Sequence, residues 1–199
     1  MRHPISRALA AAIALAATAV SAAAQATTTT SSTTTTTTVT VTAPAVGDAA
    51  PDFTLPWADA SGPRATPASL KDLRGKVVVL AYYPKDRTTG CTAELTKFRD
   101  EYATLFGDGV VVIPVSADSI PSHVAWATEM KFPFALASDV DLSVADKYGS
   151  RTPGRGTSGR TVFVIGKDGR VAYRELRFNA LSEDAYKALA DAVKAARGH

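Results

Sequence analysis

The chain holds one cysteine in 199 residues, Cys91, and that scarcity excludes several chemistries at once. A lone thiol cannot close a disulfide within the chain. It cannot form the C-x-x-C pair that resolves a thioredoxin-type mixed disulfide, nor supply the two thiolates of a copper carrier. Histidine is equally sparse: His3 lies near the start, His123 is isolated in sequence and His199 is the last residue, so no metal site and no cofactor are expected. No run of like charge and no basic stripe with interleaved aromatics is present, which argues against a nucleic-acid partner. Nor does any apolar run reach the ~20 residues that a membrane-spanning helix needs.

What is present begins with a short apolar stretch, LAAAIALAATAV, preceded by Arg2 and Arg7 and ending in the small residues AQA. This pattern reads as a Sec-type bacterial signal peptide over 1–26, cleaved after Ala26 or Ala24, which predicts a periplasmic or secreted protein with no membrane attachment after cleavage. Residues 27–42, TTTTSSTTTTTTVTVT, carry too little apolar area to offset the entropy of ordering them and read as a flexible linker. The remainder, 43–199, is about 157 residues, enough for one domain with its own core. The formal charge of +3 includes the two signal arginines and no signal acid, so the mature chain carries 20 basic residues against 19 acidic ones and is nearly neutral.

Within that domain the hydrophobic pattern alternates between strands and helices. KVVVLAYY (76–83) is a near-continuous β-branched and aromatic run, as expected of a strand buried on both faces, and Pro84 stops it. From Cys91 onward Leu95, Phe98, Tyr102 and Leu105 share one helical face, with Gly107 as the end. GVVVIPVSA (109–117) predicts a second buried strand, with Pro114 placed where no ladder bond is needed. A helix over 122–131, a short strand at FALASD and a helix over 142–148 follow. RTVFVIGKDGRVAYREL predicts a hairpin with its tip at 167–169, and SEDAYKALADAVKAA a last helix capped by Ser182. The sum is an α/β domain with a central mixed sheet flanked by helices.

Cys91 can be read two ways. It shares a face with Leu95 and Phe98, and free cysteine is often simply buried. It also falls in the first turn of a helix, where unpaired N–H groups and the positive end of the dipole favour an anion and promote thiolate formation. Gly90 lets the backbone come close to a ligand there. Thr88, three residues before the sulfur, can either turn its hydroxyl toward the same pocket or cap the helix.

Pro84, Thr88 and Cys91 together form P-x-x-x-T-x-x-C, and this resembles the active-site pattern of peroxiredoxins. The segments VGDAAPDFTLP, LRGKVVVLAYYPKDRTTGCTAELTKFRD, VIPVSADSIPSHVAWATEMKFPFALASDVDLSVADKYG and GRTVFVIGKDGRVAY are similar, in order and spacing, to the Q-type branch, also called bacterioferritin comigratory protein. The resemblance covers nearly all of 45–199. It implies a thioredoxin-like fold in which Cys91 attacks the peroxide, Thr88 and Arg160 hold it, Pro84 shields the sulfur and Glu94 supports the pocket. Arg160 is the arginine just before the TVFVI strand; Arg151 and Arg155 compete with it for that role. The implied partners are a peroxide and an external thiol or thioredoxin-like reductant, with a monomer or weak homodimer as the expected assembly.

Two departures from the branch pattern stand out. Thr89 replaces a usual proline, which loosens the turn without removing a reacting atom. Thr96 stands where many Q-type members carry a resolving cysteine, so a one-cysteine mechanism is expected. Thiolate formation alone does little for such an enzyme. Moving a thiol pKa from about 8.5 to about 6 raises the thiolate fraction at pH 7 roughly thirtyfold but lowers nucleophilicity about tenfold, leaving a gain of only a few-fold. Donors aimed at the peroxide oxygens as the O–O bond lengthens must supply the rest, and Thr88, the Cys91 N–H and Arg160 are the candidates.

Other readings make different demands. A redox-inactive module that binds a partner protein predicts a thiol indifferent to peroxide; a redox sensor predicts a disulfide-linked partner. The loop TPGRGTSGR (152–160) alternates glycine with basic residues but lacks the P-loop pattern and does not lead into a helix, so it reads as a flexible lid that delivers Arg160 rather than a phosphate cradle.

Overall fold

The computed structural model describes residues 42–198. The expected signal peptide and all but the last residue of the expected linker lie outside the described residues. Four short strands come first: β1 (Thr54–Leu55), β2 (Trp57–Asp59), β3 (Gly62–Pro63) and β4 (Ala68–Ser69). Then follow β5 (Val77–Tyr82), α1 (Thr89–Asp100), α2 (Tyr102–Leu105), β6 (Val110–Ser116), α3 (Ile120–Met130), β7 (Leu136–Ser138), α4 (Ser143–Lys147), β8 (Thr161–Ile165), β9 (Val171–Glu175) and α5 (Glu183–Arg197).

Seven strands form one mixed sheet in the order β3-β2-β7-β6-β5-β8-β9, while β1 and β4 pair separately. β5, β6 and β7 run parallel; β8 is antiparallel to β5 and β9 antiparallel to β8. β5 is buried at all six positions because each face meets a different layer. Val77, Val79 and Ala81 pack with Leu95, Phe98, Trp126, Leu189 and Val193 on one side. Val78, Leu80 and Tyr82 pack with Phe53, Leu55, Leu142, Tyr148 and Phe163 on the other. The two-residue period of a strand thus divides one apolar run between two cores.

Pro114 keeps its place in β6 because β7 joins only at Val115 and Ser116, so its missing N–H faces no ladder partner. The 167–169 turn is as expected, closed by Gly169 N–H donating to the Gly166 carbonyl at 2.8 Å, with Gly169 in the left-handed region (φ 76°). Ser182 caps α5 by accepting from Ala185 N–H at 3.3 Å.

The single helix read over 91–107 is two helices. Glu101 leaves helical geometry (φ −109°, ψ 22°), and the chain resumes as the short α2. The apolar period continues through the break, which is why the sequence pattern did not show it. The segment before β5, to which the hydrophobic pattern assigns no element, holds the four short strands, too brief for any two-residue alternation to register.

α1 is seated on the sheet by Cys91, Glu94, Leu95 and Phe98, at helical spacing i, i+3, i+4 and i+7. Phe98 anchors that seat. It is fully buried, with ring centroids of Phe106, Tyr186 and Phe178 at 5.1, 6.1 and 6.4 Å. A Phe98→Ala change should destabilise the domain by about 3–5 kcal/mol, seen as a lower urea midpoint at unchanged slope; a loss below about 1 kcal/mol would show that the site is held elsewhere.

Candidate active site

The register of two strands brings the site together. Tyr82 in β5 pairs with Thr161 in β8 in antiparallel sense, so the chain leaving β5 toward Pro84 runs beside the chain entering β8 from Arg160. α1 starts six residues beyond Tyr83. Its first backbone bond runs from Thr92 N–H to the Thr88 carbonyl at 2.8 Å, leaving the Thr89, Gly90 and Cys91 N–H groups without helical partners. Cys91 therefore sits in the first turn, as expected, and on the buried face.

Arg160 occupies the space between Cys91 and Glu94. Its Nη2 donates to Cys91 Sγ at 3.4 Å, and its Nη1 pairs with Glu94 Oε2. The Arg160 side chain is 19% exposed and the Glu94 side chain fully buried, so the pair lies between solvent and the apolar interior. Burial pushes the Glu94 carboxyl up to about 7, outweighing the pull of Arg160, and its Oε1 has no hydrogen-bond partner among the described residues. Burial pulls Arg160 down, but the charges of Glu94 and Cys91 more than offset it and hold the guanidinium above its usual value.

Gly90 is part of this fit. A Cβ there would stand 3.1 Å from Arg160 Nη2, closer than a relaxed contact allows. The other two arginines are placed differently. Arg151 Nη2 donates to the Asp141 carbonyl at 2.6 Å and its Nε pairs with Asp146 at 2.5 Å, which turns it toward α4. Arg155 is exposed on the 152–160 loop. That loop is a closed turn, pinned by the Arg151–Ser158 bridge and by Ser158 Oγ donating to the Tyr83 carbonyl at 2.7 Å.

Thr88 stands at the N-cap position with an extended backbone, but its side chain makes no cap bond; the hydroxyl donates to the Lys85 carbonyl at 3.1 Å. Pro84 ends β5 and is half-buried. Cys91 is 0% exposed and belongs to the same apolar cluster as Leu95 and Phe98, while standing in the first turn of α1.

Sequence reasoning missed Asp86 and, beyond expecting no metal at His123, gave that residue no role; it is isolated only along the chain. His123 is fully buried, with Nδ1 3.1 Å from Asp86 Oδ2. The signal was available: His123, Trp126 and Ala127 fall at i, i+3 and i+4, the buried face of α3. Among the described residues no group of three or more His, Cys, Asp or Glu could hold a metal ion.

A mixed sheet of this order, with a lone cysteine in the first turn of the helix after the central strand and an arginine on its sulfur, defines a thiol oxidoreductase of thioredoxin-like fold. The chain belongs to the AhpC/TSA family, whose profile matches residues 46–174. A Coxiella burnetii protein assigned as peroxiredoxin bcp is 40% identical over 133 residues, covering 64% of this chain and 85% of that one. The chloroplastic peroxiredoxin Q of Sedum lineare is 40% identical over 126 residues, 63% of this chain but only 65% of that one. Among solved structures, peroxidoxin BcpB from Mycobacterium tuberculosis has a TM-score of 0.65 at 29% identity, covering 76% of this chain and 97% of that one.

Two predictions follow from the Arg160 arrangement. Glu94 has an ordinary value of 4.5 and a folded value of about 7, so the folded state binds its proton more tightly. The stability this contributes is full below about pH 4.5 and is lost as pH rises through 7. Relative to Glu94→Gln, the native protein should lose on the order of 2–3 kcal/mol between pH 4.5 and 8, measured by urea unfolding at each pH; parallel curves would contradict the assignment. Gly90→Ala should leave the melting temperature unchanged or raised, since alanine favours the helix, while lowering the peroxide rate constant roughly tenfold by displacing Arg160. An unaltered rate would mean that the guanidinium position is not critical.

Proposed function

We propose that Cys91 is the reacting thiol of a peroxidase that works without a resolving cysteine, with Arg160 and Thr88 as donors to the peroxide, Glu94 orienting Arg160 and Pro84 covering the sulfur. The chain is a thiol-dependent peroxidase, acting on a peroxide at the expense of a thiol reductant. The observation that carries the assignment of roles is the Arg160 guanidinium on Cys91 Sγ, backed by a buried carboxylate. An inert core thiol has no use for a charged donor, and burying Glu94 to hold that donor is costly unless the pair serves the sulfur.

The steps balance with two equivalents of external thiol. The Cys91 thiolate attacks the hydrogen-bearing peroxide oxygen, the O–O bond breaks, and the leaving alkoxide or hydroxide takes a proton from water to depart as alcohol or water, leaving Cys91 sulfenic acid. Arg160 stabilises the charge moving onto the leaving oxygen, and Thr88 must rotate its hydroxyl away from the Lys85 carbonyl to donate as well. A first external thiol condenses with the sulfenic acid, forming a mixed disulfide and water; a second releases the Cys91 thiolate and a disulfide. Without reductant, further peroxide takes the sulfenic acid to sulfinic acid.

The same proposal covers an exported protein, for which the Arg2 and Arg7 flank, the apolar run and the AQA end speak, acting as a monomer or weak homodimer with a small thiol or thioredoxin-like protein as reductant. Titration with hydrogen peroxide and an organic hydroperoxide, followed by intact mass with a sulfenic-acid trap, tests the chemistry. One trapped oxygen at Cys91 per peroxide is expected, then a two-oxygen product without reductant; a chain left at its original mass would overturn it. Thr88→Val should lower the rate constant about tenfold or more with the fold intact, and an unchanged rate would remove the hydroxyl from the mechanism.

A further inference from the structure

The loop between Pro84 and Thr88 carries one side-chain bond of its own, from the Thr88 hydroxyl to the Lys85 carbonyl, and is otherwise held from outside. Arg87 lies in the left-handed region at φ 61°, a conformation that a non-glycine residue adopts only when its surroundings impose it. Two ties flank it: Arg87 Nε pairs with Glu129 Oε2 of α3 at 3.0 Å on the exposed side, and Asp86, the one buried residue of that loop, is anchored beneath it. Asp86 accepts through its carboxylate from three side chains, one just past β5 and two in α3: Tyr83 Oη at 2.7 Å, Ser122 Oγ at 2.7 Å and His123 Nδ1 at 3.1 Å. Its N–H donates to Asp118 Oδ2 at 2.9 Å, and Asp118 is itself held by Ser116 Oγ at 2.8 Å. Burial raises the Asp86 carboxyl, but the His123, Ser122 and Tyr83 donors win and keep it below its usual range.

These bonds tie the loop to the end of β6 and the first turns of α3, a helix that shares an apolar cluster with Cys91 through Trp126 and Ala127 but makes no hydrogen bond to Cys91, Glu94 or Arg160 among the described residues. His123 is the revealing member. It is 0% exposed, and Nε2 has no partner among the described residues, so its single polar link is the one to Asp86. An imidazole buried with half its hydrogen-bonding capacity unmet is poorly suited to filling space, where an apolar residue would serve better. We propose that Asp86 and His123 form a positioning pair that sets the conformation of the 84–88 loop, and through it the placement of Pro84 and Thr88 relative to the first turn of α1 during peroxide attack. Neither residue touches the reacting atoms. The inference rests on reading Cys91 as the peroxide-reacting thiol.

The chemistry of the bond provides the test. Asparagine at 123 places an N–H at nearly the position of Nδ1 and can still donate to Asp86. Leucine matches the bulk and apolar character of the ring better but donates nothing. The peroxide rate constant and the rate of Cys91 alkylation by iodoacetamide are measured for wild type, His123→Asn and His123→Leu, with the melting temperature alongside. His123→Asn should keep the peroxide rate within about threefold of wild type, while His123→Leu should fall roughly tenfold to a hundredfold and alkylate faster, because a loosened loop uncovers the sulfur while misplacing the donors. A packing role predicts the reverse order, with leucine equal to or better than asparagine, and that result would overturn the proposal.

Ser122→Ala, which removes one donor from a partly exposed position, keeps the test open if either His123 variant fails to fold. It should slow the peroxide step about two- to threefold at an unchanged melting temperature, and no change would count against the proposal. If wild type itself ignores peroxide, the reading of Cys91 fails. The alkylation order, faster in leucine than in asparagine, then still decides the positioning claim.

Discussion

The site depends on one cation with two claims on it. Arg160 donates to the Cys91 sulfur with one nitrogen and pairs with a fully buried carboxylate through another, and a planar guanidinium is the side chain that can serve both at fixed angles. Glu94 has little other reason to be where it is: without the arginine it would be an unpaired carboxylate in an apolar core. With it, the arginine is held in a fixed orientation beside the sulfur. On the proposed reading of Arg160 as a donor to the peroxide, the site is preorganised in the sense that this donor does not have to be recruited as charge develops on the leaving oxygen.

The sheet explains how three distant segments meet. The carboxyl end of β5 and the amino end of β8 are antiparallel neighbours, so Pro84 and Arg160, 76 positions apart, leave the same edge of the sheet side by side. The helix that follows β5 then lays Cys91 and Glu94, three residues apart, on one face toward that edge. Nothing larger than Gly90 fits between the helix turn and the guanidinium without displacement. On the far side, α3 holds the connecting loop through Asp86. The Cys91 sulfur is therefore placed by its own helix, the Arg160 cation by the start of a strand, and the 84–88 loop by a second helix.

Much of this was legible in the residues. The buried strands, the hairpin turn at 167–169, the Ser182 cap and the first-turn position of Cys91 follow from period, turn chemistry and helix-end signals, which act over a few residues. What was not legible is long-range or conformational. Which of Arg151, Arg155 and Arg160 lies against the sulfur is decided by sheet register, and Thr88 reads equally well as a cap or a donor until its hydroxyl is seen on the Lys85 carbonyl. The break at Glu101 leaves the apolar period intact and so leaves no trace in it. His123 was weighed only as a metal ligand, although its spacing to Trp126 placed it on the core face, where a polar ring needs a partner.

The claim that Arg160 is bound to both acceptors at once is tested most directly by the second-order rate constant for peroxide in Arg160→Lys. Lysine keeps the charge but offers a single point of donation, so the rate should fall roughly a hundredfold or more, close to that of Arg160→Met, while Cys91 stays intact and reduced. A lysine variant that reacts at nearly the native rate would show that charge alone suffices and that the shared guanidinium is not what the site depends on.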